Sequence, residues 1–190
     1  ESGITRANAR ALIDEWISLT SISDPIAGRP DVAARRIISW LTQAPLVLDD
    51  SDVRFYRGFI RNLSRQVRRL RHMAPNARDG MPRLQAVIAL MYAALCMQGQ
   101  AGHIRNAITR LSEQLDRQIL PDGGHISRNP SALIEILIDL LPLRQAFTSR
   151  NIAPPPPLLN AIDRMMPMLR FFRHGDGNFA LFNGMGPTST

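Results

Sequence analysis

The sequence predicts an all-α fold of antiparallel helical hairpins, and two observations predict it. Apolar residues recur with a period near 3.6 along almost the whole chain, while alternation with a period of two is missing. Amphipathic helices also alternate with nearly apolar ones across short turns, the pattern expected of hairpins with one outer and one inner helix. Hairpins repeated around an axis make an α/α toroid, complete or incomplete; repeated along a line they make a solenoid. No sequence self-similarity at a fixed period is found, which weighs against an ordinary repeat array.

The elements follow in order. A first helix is expected over residues 6–19, with Ala11, Leu12, Trp16 and Leu19 on one face. A second is expected over 30–42, where Pro30 and Asp31 suit a first turn and Ala33, Ile37, Trp40 and Leu41 form the apolar face. In the third, over 52–72, a helical wheel gathers Phe55, Phe59, Leu63, Val67 and Leu70 on one side and Arg54, Arg57, Arg61, Arg65 and Arg68 almost opposite. The fourth, over 82–97, is apolar nearly all round and is stopped by Gly99. The fifth, over 102–119, has the single stripe Ile104, Ile108, Leu111 and Leu115. A Gly-rich loop, Pro121-Asp122-Gly123-Gly124-His125, precedes a sixth helix with Asn129 as N-cap, Pro130 in its first turn and Phe147 near its end. That helix is nearly apolar, and Glu135 and Asp139 are expected to be almost enclosed. After the stiff run Pro154–Pro157, a seventh helix covers 158–172, with Pro167 as a kink. Residues 1–173 are read as the toroid domain and 174–190 as an irregular Gly-rich segment leading to a further region.

The chain has 190 residues, enough for one domain or two small ones, and its apolar share of 45% is that of a globular protein. All 23 basic residues are Arg and none is Lys, which against 16 acids gives a net charge of +7. Schiff-base chemistry, a P-loop lysine and a Lys general base are therefore excluded within this chain. Arg suits carboxylate, sulfate or phosphate, so the composition favours an anionic partner without choosing among nucleic acid, glycan and protein. The lone Cys96 excludes an internal disulfide and a Cys-based zinc site, and its apolar neighbours make a buried thiol the expectation. His72, His103, His125 and His174 stand far apart, so no metal is expected, and no cofactor is called for. The longest apolar run is too short to span a bilayer. Because the chain opens with Glu1, a longer native protein is expected, and its localisation stays open between cytoplasm and periplasm.

Three segments hold candidate chemistry. The Arg stripe of the third helix could meet a polyanion, but it points away from any inner cleft and has no interleaved aromatics, so a solvated outer face is the plainer reading and nucleic acid is not favoured. In the 120s loop, His125, Ser127 and Arg128 gather at the start of an apolar inner helix whose free amides can meet an anion. In the 170s loop, His174 is a candidate proton carrier, with Asp176 beside it; a C-cap followed by a turn is the alternative. Glu135 and Asp139 lie one helical turn apart and could flank a sugar, though pairing with Arg from neighbouring helices is the stronger expectation.

The chain resembles the N-terminal helical part of bacterial heparinase II/III-like polysaccharide lyases. The resemblance rests on Asp24-Pro25 through Arg29-Pro30 followed by Ala34-Arg35-Arg36-Ile37-Ile38-Ser39-Trp40-Leu41, on Leu120 through Pro130, and on Phe172-Arg173-His174-Gly175-Asp176-Gly177 through Leu181-Phe182-Asn183-Gly184. It implies an α/α toroid that partners a C-terminal β-sandwich region, and β-elimination on an acidic, uronate-containing polysaccharide such as a glycosaminoglycan or alginate. In that chemistry a cationic or polar side chain neutralises the uronate carboxylate, a base removes the neighbouring C5 proton, and an acid protonates the leaving oxygen. The resemblance implies Arg128, His125 and His174 as the catalytic set, and Ser127, Asn129, Arg36, Asp176 and Asn183 as substrate-binding residues. This sequence departs from the family at Ser131-Ala132-Leu133, where a Tyr is usual. It also lacks the later base Tyr: Tyr92 is its last tyrosine, and His174 or a residue beyond the chain would have to stand in. A non-catalytic helical module for a polyanion or a protein partner is the alternative.

Overall fold

A computed structural model describes residues 2–19 and 25–186. Asp24, and residues 187–190 of the segment expected to be irregular, lie outside them. Eight α-helices are present among the described residues: α1 (Ser2–Leu19), α2 (Pro30–Thr42), α3 (Ala44–Leu48), α4 (Val53–Met73), α5 (Met81–Cys96), α6 (Ile104–Gln118), α7 (Pro130–Ser149) and α8 (Pro156–Phe171). No strand forms there; the only extended pairing is two isolated bridges, Ile119 with His125 and Arg173 with Phe179. The all-α expectation holds.

The helices lie in two layers. Helix α5 packs along α2 on one side and α7 on the other, making an inner row of three. Helices α1, α4, α6 and α8 cover it from outside, α1 beside α4 and α6 beside α8. The sequence explains who sits where. Helix α4 buries the stripe Phe55, Phe59, Leu63, Val67 and Leu70 and leaves Arg54, Arg57, Arg61, Arg65 and Arg68 exposed. Each buried large side chain contributes roughly 1.5–3 kcal/mol of transfer free energy, so this stripe docks the helix. Helix α5 is covered on every side, and 11 of its 16 residues are buried. A helix with that composition is stable only at the centre. Asp52 caps α4 by accepting from the Phe55 amide at 2.7 Å, and Asn129 caps α7 by accepting from the Ser131 amide at 2.9 Å.

Several expectations are corrected. The first helix does not bury Ala11, Leu12 and Leu19: Leu12 and Leu19 are 66% and 74% exposed, and the covered side is Ile13, Trp16 and Ile17. Helix α1 packs on α4 and α3 along one side, so some of its apolar residues find no neighbour among the described residues. Helix α3 falls where no helix was expected; at five residues it is too short to show a period. Glu135 is half-exposed rather than enclosed, and Ile138 on the same helix is 60% exposed. Cys96 is exposed, not buried, because it is the last residue of α5, where the covering helices run out. Pro167 does lie inside α8, as Pro142 does inside α7.

Candidate functional site: the paired Asp-Gly loops beside α7

The loops after α6 and after α8 have the same backbone. In the first, Leu120 donates its amide to Gly124 O, Gly123 to Leu120 O and Ile126 to Gln118 O, at 2.8, 2.9 and 2.9 Å. In the second, His174 donates to Asn178 O, Gly177 to His174 O and Ala180 to Phe172 O, at 2.8, 3.0 and 2.9 Å. Each turns on an Asp whose carboxylate accepts the amide two residues on: Asp122 from Gly124 and Asp176 from Asn178, both at 2.9 Å. Each then needs a left-handed residue, supplied by Gly123 (φ 84°) and Gly177 (φ 90°). An outer helix followed by an Asp-Gly turn thus recurs locally, after α6 and after α8, although the sequence has no fixed period. A side chain at position 123 would also run into the main-chain carbonyl of Arg164 on α8. Arg164 Nη2 donates to Ile119 O at 3.4 Å, so α8 clamps the first loop from behind.

His125 is the hidden half of that clamp. It is 1% exposed. Its Nδ1 accepts the Ser127 amide at 3.1 Å and lies 2.8 Å from Ser127 Oγ. Its Nε2 lies 3.0 Å from Gln118 Oε1, while Gln118 Nε2 donates to Gln114. With Nδ1 accepting, the proton belongs on Nε2, facing the Gln118 carbonyl oxygen. Burial pushes the imidazole below its ordinary pKa, so it is held neutral. Both ring nitrogens are committed to the chain's own groups, which makes His125 a positioning residue for the loop.

Arg128 is the exposed half. Its backbone is left-handed, φ 53°, unusual for a side chain of this size. The guanidinium is about half-exposed and donates Nη1 to Asp122 at 2.5 Å. That hydrogen bond, and then the one from Gly124, hold the Asp122 carboxyl below the usual carboxylate range. Ser127 and Asn129 flank it: Ser127 Oγ accepts the Asn129 amide at 3.3 Å, and Asn129 caps α7. The second loop joins them through Asn183, left-handed at φ 48°, whose Nδ2 donates to Arg128 O at 3.1 Å. Ser127, Arg128, Asn129 and Asn183 therefore share one edge of the molecule, with His125 behind it.

The remaining expected site residues lie elsewhere. His174 is exposed and opens on a cleft of about 790 Å³ whose walls all fall between Met166 and Phe179, with Arg170 and Arg173 among them. Asp176 spends its carboxylate on Asn178, at 2.9 Å to the amide and 3.0 Å to the side chain, which lowers its pKa. Arg36 is turned into the packing between α1, α2 and α4. It donates Nε to Gln66 Oε1 at 2.6 Å and Nη2 to Ala27 O at 3.0 Å, and its guanidinium lies 4.4 Å from the Trp16 ring centroid. Burial, and then Arg69, lower its pKa. Trp16 meets Trp40 edge-on at 5.4 Å, and Trp40 stacks on Phe59 at 4.9 Å. The Arg-then-Trp pattern of α2 thus builds the core junction of three helices.

Sequence reasoning underrated one polar group. On the inner row, Arg35 of α2 donates to Glu135 at 2.7 Å and reaches Asp139 at 3.5 Å, both on α7. Gln85 and Ser131 approach the same Glu135 carboxylate, each at 3.4 Å. The Tyr92 hydroxyl donates to Asp139 O at 2.7 Å. Asp139 is 4% exposed, and burial pushes its pKa up to about 6; Arg35 opposes the rise and Glu135 adds to it. The cluster borders an open groove of about 560 Å³ along α2. The expected pairing of these carboxylates with Arg from a neighbouring helix is what the structure shows. Among the described residues, no three His, Cys, Asp or Glu side chains are grouped as metal ligands. No helix there is long and apolar enough to cross a membrane.

No family model matches the chain. It is 32% identical over 178 residues to FtsZ-localized protein C of Caulobacter vibrioides, covering 93% of this chain and 30% of that protein. Among solved structures, the heparan sulfate lyase HepC of Pedobacter heparinus superposes with a TM-score of 0.65 at 16% identity, over 93% of this chain and 29% of the lyase. A heparinase III superposes with a TM-score of 0.60 at 20% identity, over 90% and 28%. The chain thus spans under a third of the length of each. At these identities the likeness shows the fold: the two-layered helices are those of a region within heparan sulfate lyases.

Proposed function

We propose that this chain is the polysaccharide-binding helical part of a longer lyase-like protein, and that it holds an acidic, uronate-containing polysaccharide along the edge formed by Ser127, Arg128, Asn129 and Asn183. One observation carries the reading. Arg128 stands half-exposed at the start of an inner helix, on a loop fixed from behind by His125 and α8, with Asp122 aligning one side of its fork. A preset guanidinium of that kind suits a sugar carboxylate or sulfate. The fold shared with heparan sulfate lyases supports the same substrate class. The β-elimination step is assigned elsewhere. His125 has no free nitrogen, and burial raises the Tyr92 hydroxyl far from titration near neutrality. His174 is the one proton carrier proposed on this chain, with a C-terminal β-sandwich region as the other wall of the cleft.

Titration of the full-length protein with alginate, heparan sulfate and carboxyl-reduced alginate tests the reading. Binding to the first two and its loss on carboxyl reduction are expected. Equal binding of the reduced, neutral polymer would exclude it.

A second reading, a non-catalytic helical module that meets a protein partner, is favoured by the 32% identity to a protein named for its localisation with FtsZ.

A further inference from the structure

The outer surface carries a groove that the polysaccharide reading does not use. It runs between α1 and α4, has a volume of about 660 Å³, and bears opposite charges on its two rims. Asp14 and Glu15 stand on the α1 rim, and Arg54, Arg57 and Arg61 on the α4 rim. All five are exposed, and none forms an ion pair with a described residue. Arg65 and Arg68 continue the α4 rim, and α4 has no acidic residue to neutralise it. From Arg54 to Arg68 the row runs about 21 Å at 1.5 Å per residue. Between the arginines the groove reaches Gly58, in the second turn of α4. A side chain there would meet nothing within 4 Å. A glycine inside a helix is destabilising relative to alanine, and no contact with a described residue asks for it.

We infer that this groove is a docking site for a helix of a protein partner, acidic along the edge that meets Arg54, Arg57 and Arg61 and basic along the edge that meets Asp14 and Glu15. The inference deepens the protein-partner reading by giving it a surface. Charge complementarity selects the occupant. A nucleic acid or an acidic glycan is negative on all sides and would press against Asp14 and Glu15 as it met the arginines. The groove also has no aromatic wall on which a base could stack. A helix can carry both signs on opposite edges, and at three- and four-residue spacing its carboxylates match the spacing of the arginines. Gly58 lets its backbone approach closely.

The test uses the full-length protein and a labelled synthetic Ala-rich helix of about 18 residues, long enough to be helical. It carries a Glu stripe along one edge and an Arg stripe along the other. Binding is expected, about tenfold or more weaker for Arg57→Glu with Arg61→Glu, and recovered by that variant with a peptide bearing Arg on both edges. Gly58→Leu fills the groove without changing charge and should abolish binding while leaving the melting temperature unchanged or raised. Peptide binding that survives both substitutions would overturn the groove and leave a protein partner in place. Failure of the peptide to bind at all would count against both. A single-stranded oligonucleotide or heparin competing through the same arginines, unaffected by Gly58→Leu, would give the rim to polyanions instead.

Discussion

Asn183 donates its Nδ2 to the main-chain carbonyl of Arg128 at 3.1 Å, across 55 residues of sequence. One Asp-Gly loop thereby braces the backbone of the other at Arg128, whose own backbone is left-handed. Asn183→Ala removes that brace and touches no buried group. Expected is a several-fold loss of acidic-polysaccharide affinity with a melting temperature lowered by no more than about 6 °C, since an exposed neutral hydrogen bond contributes roughly 0.5–1.5 kcal/mol. Calorimetric titration beside a thermal melt reads both. Unchanged affinity would separate the second loop from the site.

Gly123 is predicted to be the most sensitive position of the loop. Any side chain there needs a left-handed backbone and meets the Arg164 carbonyl on α8. Gly123→Ala should lower unfolding free energy by about 2 kcal/mol or more, seen as a fall in the urea midpoint. Gly124→Ala meets mainly the mobile end of Arg128, at 2.9 Å. It should cost less stability and instead disturb the Arg128–Asp122 pair. Equal costs at the two positions would contradict the clamp.

Asp139 makes the fold pH-dependent. Its pKa is raised from 3.8 to about 6 in the folded protein, so between those values the folded state binds more protons than the unfolded chain. Stability from this group therefore falls as pH rises through that window and levels off above it. Asp139→Asn should flatten this slope and raise the melting temperature near pH 7 by a few degrees. A steeper slope in the variant would contradict the assignment.

His125 acts in the opposite sense. Its folded pKa lies below 6.5, so the unfolded chain takes the proton first, and stability is lost as pH falls below that ordinary value. His125→Ala should remove that acid sensitivity and loosen residues 122–129, read as faster amide exchange at Ser127, whose N–H bonds Nδ1. Exchange at Ser127 as slow as in the parent would show that the imidazole does not hold the loop.

Much of this was legible in the sequence, and the failures have physical causes. The stripe from Phe55 to Leu70 and the cap Asn129 depend on neighbours within a few residues, which periodicity and capping chemistry report directly. Leu12 and Leu19 failed because a period records which residues are apolar, not whether a neighbouring helix arrives to cover them. His125 sits in a polar, Gly-rich loop, and its burial follows from the turn that folds it back against Gln118 and Ile119 at the end of α6. Arg36 reads as a cleft residue, but the rotation of α2 directs it to Trp16 and turns the adjacent Arg35 towards α7, 100 residues away. The Asp-Gly loops were visible as two motifs, while their shared backbone is a three-dimensional fact.

The most direct test of the account is Arg128→Ala in the full-length protein. Binding of heparan sulfate and alginate oligosaccharides would be titrated beside the thermal melt and the absorbance of unsaturated uronate. Loss of one charged hydrogen-bonding group predicts affinity about tenfold weaker or more, with the melting temperature almost unchanged because the side chain is half-exposed. Any lyase activity should be lost with the binding. Affinity and turnover equal to those of the parent would contradict the claim that Arg128 holds the acidic sugar.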